Sequence, residues 1–212
     1  NGLETKIKCS GIWPQSDVEM IDATFSDYEN SDKPFMVFYA SVSGHAGYSF
    51  EGNSMSKKHK DEIDEFNLPY SSPVKAYLAA QMELDKALEL LLDELEKAGK
   101  LEDTVIALFG DHYPYGLSTS SISEVVGYDA SVDNEMDRTP MIIYNYGQEP
   151  EIVEDYTSLV DLLPTLLNMF GINYDPRLYL GNDIFSEYDH RAYFADGSWQ
   201  DEVGYYNASK GV

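Results

Sequence analysis

Residues Thr104 to Tyr113 read TVIALFGDHY. Val105, Ile106, Ala107, Leu108 and Phe109 form a continuous apolar run. Such a run predicts a strand buried on both faces, as in the middle of a parallel sheet. Gly110 then lets the backbone turn tightly, and Asp111 and His112 follow at once. In open α/β sheets, ligands gather just beyond the carboxyl ends of the strands. A carboxylate and an imidazole side by side at that point are placed as a metal-binding pair. Both suit Mn, Zn or Fe, so the pair alone does not choose the ion. The plainer alternative is a strand followed by an Asp N-cap and a solvated His; position at a strand end favours the metal pair.

A second strand repeats the arrangement. Pro34 leads into Phe35, Met36, Val37, Phe38, Tyr39 and Ala40, which run out into Ser41-Val42-Ser43-Gly44-His45. An imidazole therefore follows a second apolar strand, and two Gly-flanked polar clusters at strand ends are how an α/β sheet assembles a site from distant sequence. Met141 to Tyr144 reads as a third buried strand. The expectation is one mainly parallel sheet flanked by helices, with His45 brought near Asp111 and His112.

The helices are read from caps and stripes. Gly11 to Tyr28 reads as a loop and then a helix, capped by Ser16 or Asp17, with Glu19 in the electropositive first turn. Trp13 reads as an aromatic capping a domain edge rather than lining a site. Residues 51–67 form a polar stretch in which Lys57, Lys58, His59 and Lys60 make a small basic knot. Pro69 to Gly99 is a long helix, with Ser71 or Ser72 as cap, Pro73 in its first turn and Gly99 as a left-handed stop. Tyr77, Leu84, Leu88, Leu91 and Leu95 give it a core-facing stripe, and Asp85 reads as a tie from helix to loop. Residues 114–137 are loop-like. Thr157 to Phe170 is an amphipathic helix interrupted by Pro164 and ended by Gly171. Arg191 to Asn207 reads as an antiparallel hairpin built around Asp196-Gly197.

At 212 residues with 43% apolar and 25% charged residues, the chain has the composition of a globular protein with one sizeable core. We read it as a single domain spanning 1–212. The net charge of -24 argues against nucleic acid as a partner, because phosphate contacts need Lys and Arg clusters. It also argues against adhesion of this domain to anionic lipid. One cysteine, Cys9, excludes an intramolecular disulfide and a Cys-based zinc site. No apolar stretch reaches the roughly 18 residues of a spanning helix.

The GDHY motif after an apolar strand resembles the metal-binding motif of the alkaline phosphatase superfamily, which includes the sulfatases. The long helix before it, the Ser158-x-x-Asp161-x-x-Pro164-Thr165 pattern, Leu180-Gly181-Asn182-Asp183-Ile184-Phe185 and the Phe194-Ala195-Asp196-Gly197-Ser198-Trp199 hairpin are similar to the branch of lipoteichoic acid (LTA) synthases and their sulfatase-like relatives. The resemblance runs from about Gly11 to Asn207.

That resemblance implies an alkaline phosphatase/sulfatase-like α/β fold with a C-terminal antiparallel hairpin, on the extracellular face of a bacterial membrane. The tether would be transmembrane helices lying upstream. It implies transfer of a phosphoglycerol-type group from an anionic phospholipid into a glycopolymer, through a threonine intermediate and with bound Mn²⁺. Residue by residue, it makes Asp111 and His112 metal ligands, and it gives His45 a catalytic role in holding the transferred phosphate. The family's nucleophilic Thr and Glu ligand match no stretch here. The chain is therefore expected to be the C-terminal part of an incomplete domain, inactive alone. A sulfatase or phosphodiesterase of the same superfamily, or a non-catalytic acidic cell-surface module, are the rival expectations.

Overall fold

The computed structural model describes residues 13–132 and 134–212. The chain forms two compact units that meet in sequence at Gly147 and Gln148. Cys9 lies outside the described residues.

The first unit is built on the long helix. In chain order it holds α1 (Asp17–Thr24), α2 (Ser54–Lys58), α3 (Lys60–Glu65), α4 (Ser72–Lys97), β1 (Val105–Phe109), α5 (Thr119–Val126) and β2 (Met141–Asn145). Ser16 caps α1 as expected, its Oγ accepting the Glu19 N–H at 3.0 Å. α4 stops at a Schellman motif: Gly99 takes φ +65°, and the Lys100 N–H reaches back to the Leu95 carbonyl at 2.9 Å. Its start differs from expectation. Ser71 occupies the cap position without a side-chain cap bond, and both its N–H and Oγ donate to the Glu124 carboxylate at 2.6 Å.

The buried face of α4 is also not the expected leucine stripe. Its fully covered residues are Val74, Ala76, Ala79, Ala80, Glu83, Ala87 and Leu95, while Leu84, Leu88 and Leu91 are half-buried. Alanines let α1, α2 and α3 approach closely, so the small residues take the crowded face and the larger leucines the flanks. Asp85 is exposed; the carboxylate that ties α4 to its neighbours is Glu83, with no exposure at all. Glu83 accepts hydrogen bonds from Ser16 Oγ, from Lys58 Nζ at 2.8 and 2.9 Å, and meets His59 Nε2 at 2.6 Å. Burial alone would raise the Glu83 pKa, but the bonds from Lys58, Ser16 and His59 outweigh it and hold the group below the usual range.

β1 has the expected bounds, and β2 the expected start. Their pairing is antiparallel rather than parallel, with Val105 opposite Asn145 and Phe109 opposite Met141. The reason lies in the connection. Residues 110–140 leave and return at the same end of the ladder, where the Gly110 N–H donates to the Pro140 carbonyl at 3.2 Å. A parallel pair needs a crossover that returns along the sheet. Nor is β1 buried on both faces: Val105 to Leu108 are half-buried and Phe109 is exposed.

Phe35 to Ala40, expected as a ladder strand, joins no ladder among the described residues. It keeps the period-two alternation of an extended chain. Val37 and Tyr39 face a cluster of Phe25, Tyr28 and Leu95 that also takes in Ile106, while Met36 and Phe38 are exposed. Side-chain packing and hydroxyl bonds hold the segment: Tyr39 meets Thr24 Oγ1 at 3.0 Å and the Tyr28 hydroxyl at 2.9 Å.

The second unit holds α6 (Leu162–Met169) and a small sheet of β3 (Ala192–Tyr193), β4 (Trp199–Gln200) and β5 (Tyr205–Tyr206). The expected hairpin is present, with Gly197 at φ +85° in its turn and a third antiparallel strand added. Pro164 does not interrupt its helix. It sits in the first turn of α6, where a missing N–H costs nothing. The Ser-x-x-Asp-x-x-Pro-Thr pattern is a clamp on the Gly181 segment. Ser158 and Asp161 close a capping box, Asp161 also accepts the Asn182 N–H at 2.9 Å, and Thr165 Oγ1 accepts the Ile184 N–H at 3.1 Å. Among the described residues, no helix is long and apolar enough to cross a membrane.

Candidate active site

The site forms where two loops pack against each other in the first unit. One follows the extended Phe35–Ala40 segment and carries His45; the other follows β1 and carries Asp111 and His112. Ala46 and Tyr48 of the first share a core cluster with Tyr113 and Leu117 of the second. A Cβ at Gly116 would lie 2.9 Å from Ala46 Cβ and 3.0 Å from the Tyr48 ring, so glycine sets how closely the loops approach. As expected from sequence, His45 and His112 come together, with ring centroids 6.5 Å apart and planes nearly perpendicular.

The chemistry of the Asp111–His112 pair follows from one hydrogen bond. His112 Nδ1 lies 2.8 Å from the Tyr113 carbonyl oxygen. A carbonyl can only accept, so Nδ1 carries the proton, and in the neutral ring Nε2 keeps its lone pair. That Nε2 stands 3.5 Å from Asp111 Oδ1. A lone pair and a carboxylate oxygen facing one another call for something positive between them, which a metal ion or a proton on Nε2 supplies. Tying one ring nitrogen to a carbonyl is how a protein orients a metal-ligating histidine. Two ligand atoms each ~2.1 Å from one ion stand ~3.0 to 3.4 Å apart at usual coordination angles, close to the separation here. The donor set, one imidazole and one carboxylate, therefore fits a divalent ion. Among the described residues no group of three or more His, Cys, Asp or Glu is gathered for a metal, so those residues offer a pair and not a closed shell.

His45 is held differently. Its Nδ1 is buried with no hydrogen-bond partner among the described residues. An orphaned buried nitrogen is costly and marks a position waiting for a ligand or a proton acceptor. The backbone around it is bonded at every turn. The His45 N–H donates to the Val42 carbonyl at 3.0 Å, and the His45 carbonyl accepts from Asn53 Nδ2 at 3.1 Å. Gly44's carbonyl accepts from the Tyr48 hydroxyl at 3.1 Å and from Gln81 Nε2 at 3.3 Å. Burial of the Tyr48 phenol, reinforced by Tyr77 and Tyr115, pushes its pKa up to about 12.

Two aromatic residues belong to the site that the sequence reading did not place there. Trp13 packs edge-on against His45 with centroids 5.2 Å apart, and it is exposed rather than capping a domain edge. Tyr115 lies 4.7 Å from the His112 ring and 6.4 Å from His45, bridging the two. Tyr115's place next to the GDHY motif was the available signal. Trp13 gave none, since its contact spans 32 residues of sequence, from 13 to 45.

The fold sets the class. Crystal structures of the lipoteichoic acid synthase LtaP from Listeria monocytogenes (TM-score 0.65, 23% identity, covering 88% of this chain and 47% of that one) and of Ps i-CgsB in complex with k-i-k-neocarrahexaose (TM-score 0.60, 15% identity, covering 87% and 42%) share it. It is an α/β fold of the alkaline phosphatase and sulfatase kind. The chain belongs to the sulfatase family, whose pattern matches residues 3–172. Its curated relatives include lipoteichoic acid synthase 2 of Bacillus subtilis, 28% identical over 77% of this chain and 24% of the relative. The lipoteichoic acid synthase-like YvgJ of the same organism is 28% identical over 84% and 29%. Lipoteichoic acid synthase of Staphylococcus saprophyticus is 32% identical over 56% and 19%. The chain thus spans less than a third of the length of these relatives.

Proposed function

We propose that this chain contributes the Asp–His metal pair and a phosphate-binding histidine to an enzyme that transfers a phosphoglycerol-type group during synthesis of a cell-wall glycopolymer such as lipoteichoic acid. The observation that carries the reading is the His112 geometry: Nδ1 tied to the Tyr113 carbonyl, Nε2 3.5 Å from Asp111 Oδ1. The similarity to the lipoteichoic acid synthases named above supports the choice of polymer. The proposed donor is an anionic phospholipid at the outer face of the bacterial membrane, and the tether belongs to segments preceding this chain.

When bound, a divalent ion, in this reading Mn²⁺, neutralises phosphate oxygens and lowers the pKa of the attacking hydroxyl. Asp111 and His112 would hold it. The part of His45 is to donate to the charge that develops on the transferred group, from a ring braced by Trp13 and Tyr115. An ion held by Asp111 and His112 would also let an anionic substrate approach against the net charge of -24. The nucleophile and the remaining ligands are assigned to polypeptide outside this chain, which covers 24% to 29% of its Bacillus relatives.

Membership of the sulfatase family carries a second reading, hydrolysis of a sulfate or phosphate ester at the same pair. The complete protein, loaded with Mn²⁺, is assayed on phosphatidylglycerol and on an aryl sulfate. Glycerol phosphate transfer lost in Asp111→Ala and His112→Ala supports the first reading; arylsulfatase activity alone replaces it with the second. Full activity in both variants would leave a non-catalytic acidic module as the better account.

A further inference from the structure

We propose that Asp17 is a positioning residue for His45, acting on the loop and not on the substrate; this rests on the active-site reading above. Asp17 is the first residue of α1 and has no exposure. Its carboxylate accepts the Val42 N–H at 2.9 Å (Oδ1) and the Ser43 N–H at 3.0 Å (Oδ2), and the Ser43 hydroxyl also donates to Oδ2. Three donors from a segment 25 and 26 residues away converge on one buried side chain. An ionised carboxylate is acceptor-only, so it alone satisfies all three.

The helix does not need this carboxylate for its own cap, because Ser16 Oγ already accepts the Glu19 N–H. What Asp17 holds is the peptide that holds His45. Val42 gives its N–H to Asp17, and its carbonyl accepts the His45 N–H at 3.0 Å. The other bonds on this turn, from Asn53, Tyr48 and Gln81, all go to carbonyls. Asp17 thus supplies the acceptor half of the clamp. With it, the His45 ring meets the edge of Trp13 and comes within reach of His112; without it, the buried Ser43 N–H, the half-buried Val42 N–H and the Ser43 hydroxyl lose their partner and the turn must open to water.

The test uses nuclear magnetic resonance on the 212-residue chain, reading the ring-to-ring Overhauser effect between Trp13 and His45 and the line widths of the His45 and His112 ring protons with added Mn²⁺. Asp17→Asn keeps the shape but turns one acceptor into a donor. It is expected to keep the circular dichroism of the parent, to shift the Val42 and Ser43 amides, and to lose most of the Trp13–His45 effect. Mn²⁺ should then broaden His112 as before and His45 less strongly, because the broadening falls steeply with distance from the ion. Asp22→Asn, an exposed acid on the same helix, should change none of these. An undiminished Trp13–His45 effect in a folded Asp17→Asn overturns the proposal, and so does an unfolded one, since the role would then be in the whole fold. If Mn²⁺ broadens neither ring in the parent chain, the Asp111–His112 pair does not hold the ion by itself, while the Trp13–His45 effect still judges Asp17.

Discussion

His112 Nε2 faces Asp111 Oδ1 at 3.5 Å while the opposite ring nitrogen is committed to the Tyr113 carbonyl at 2.8 Å. The pair is aimed, and it is aimed outward: the Asp111 side chain is 83% exposed and that of His112 is 42% exposed. Neither supports the core, so their truncation opens no cavity. We expect Asp111→Ala and His112→Ala to weaken Mn²⁺ binding by more than the ~10-fold that losing an outer-shell partner costs. Stability should stay within about 0.5 kcal/mol of the parent. Electron paramagnetic resonance titration and thermal melting measure the two effects separately. Unchanged Mn²⁺ affinity in both variants would refute the ligand assignment.

Glu83 makes the opposite prediction. It is wholly buried and shared by α1, α2 and the residue opening α3, through Ser16, Lys58 and His59. Glu83→Ala leaves those groups without their acceptor, which costs on the order of 3 kcal/mol, less where Lys58 can turn to solvent. The pKa of Glu83 is depressed in the fold, so its contribution is present above the unfolded-state value of about 4.3. It is lost as pH falls from there through the lower folded value. Denaturant unfolding of parent and Glu83→Gln chains should therefore converge in acid and separate above pH 5; parallel curves would mean Glu83 is not the titrating group.

What the residues reveal on their own divides along sequence distance. The bounds of β1, the Ser16 cap, the Gly99 stop and the Asp196-Gly197 turn depend on neighbours a few places away, and each is present as read. The meeting of His45 and His112 was also legible, because both follow apolar runs that end in Gly-flanked polar clusters. Glu83 was not: its partners stand 67, 25 and 24 residues away, and in the pattern of α4 it reads as one more solvent-facing acid. The antiparallel pairing of β1 with β2 was hidden for the same reason. Apolar runs report burial, whereas direction depends on where the 110–140 excursion comes back.

Tyr48 links the His45 loop to the core, and its phenol should titrate apart from the exposed tyrosines. Burial raises its pKa to about 12, against an unperturbed value of about 10. Its neutral form is the one the fold favours. Its contribution is complete below the unfolded value and is lost as pH rises through about 12. Burial also raises Tyr28, more strongly, and Tyr77, so phenolate absorbance should show several late-titrating tyrosines, of which Tyr48→Phe removes the one near 12. A titration curve unaltered by Tyr48→Phe would place that component elsewhere.

Two glycines with similar surroundings on paper should respond very differently to a methyl group. At Gly44 the added Cβ would strike the amide end of Gln81, a side chain that can swing away at the cost of its 3.3 Å bond to the Gly44 carbonyl. At Gly181 the Cβ would strike the Val160 carbonyl and lie 2.6 Å from the Asp161 N–H, and backbone cannot swing. Moving it would break the capping box of Ser158 and Asp161 and the Asp161 bond to Asn182, the clamp that seats this segment. Gly44→Ala should thus cost under about 1 kcal/mol, while Gly181→Ala should cost about 3 kcal/mol or more, the upper range for overpacking. Hydrogen exchange makes the comparison specific. Gly181→Ala should release the Asn182 and Ile184 amides, whereas Gly44→Ala should leave them protected. Equal losses of stability in the two variants would show that the Val160–Gly181 contact yields as easily as a side chain, and that the Ser-x-x-Asp-x-x-Pro-Thr pattern is not the clamp described.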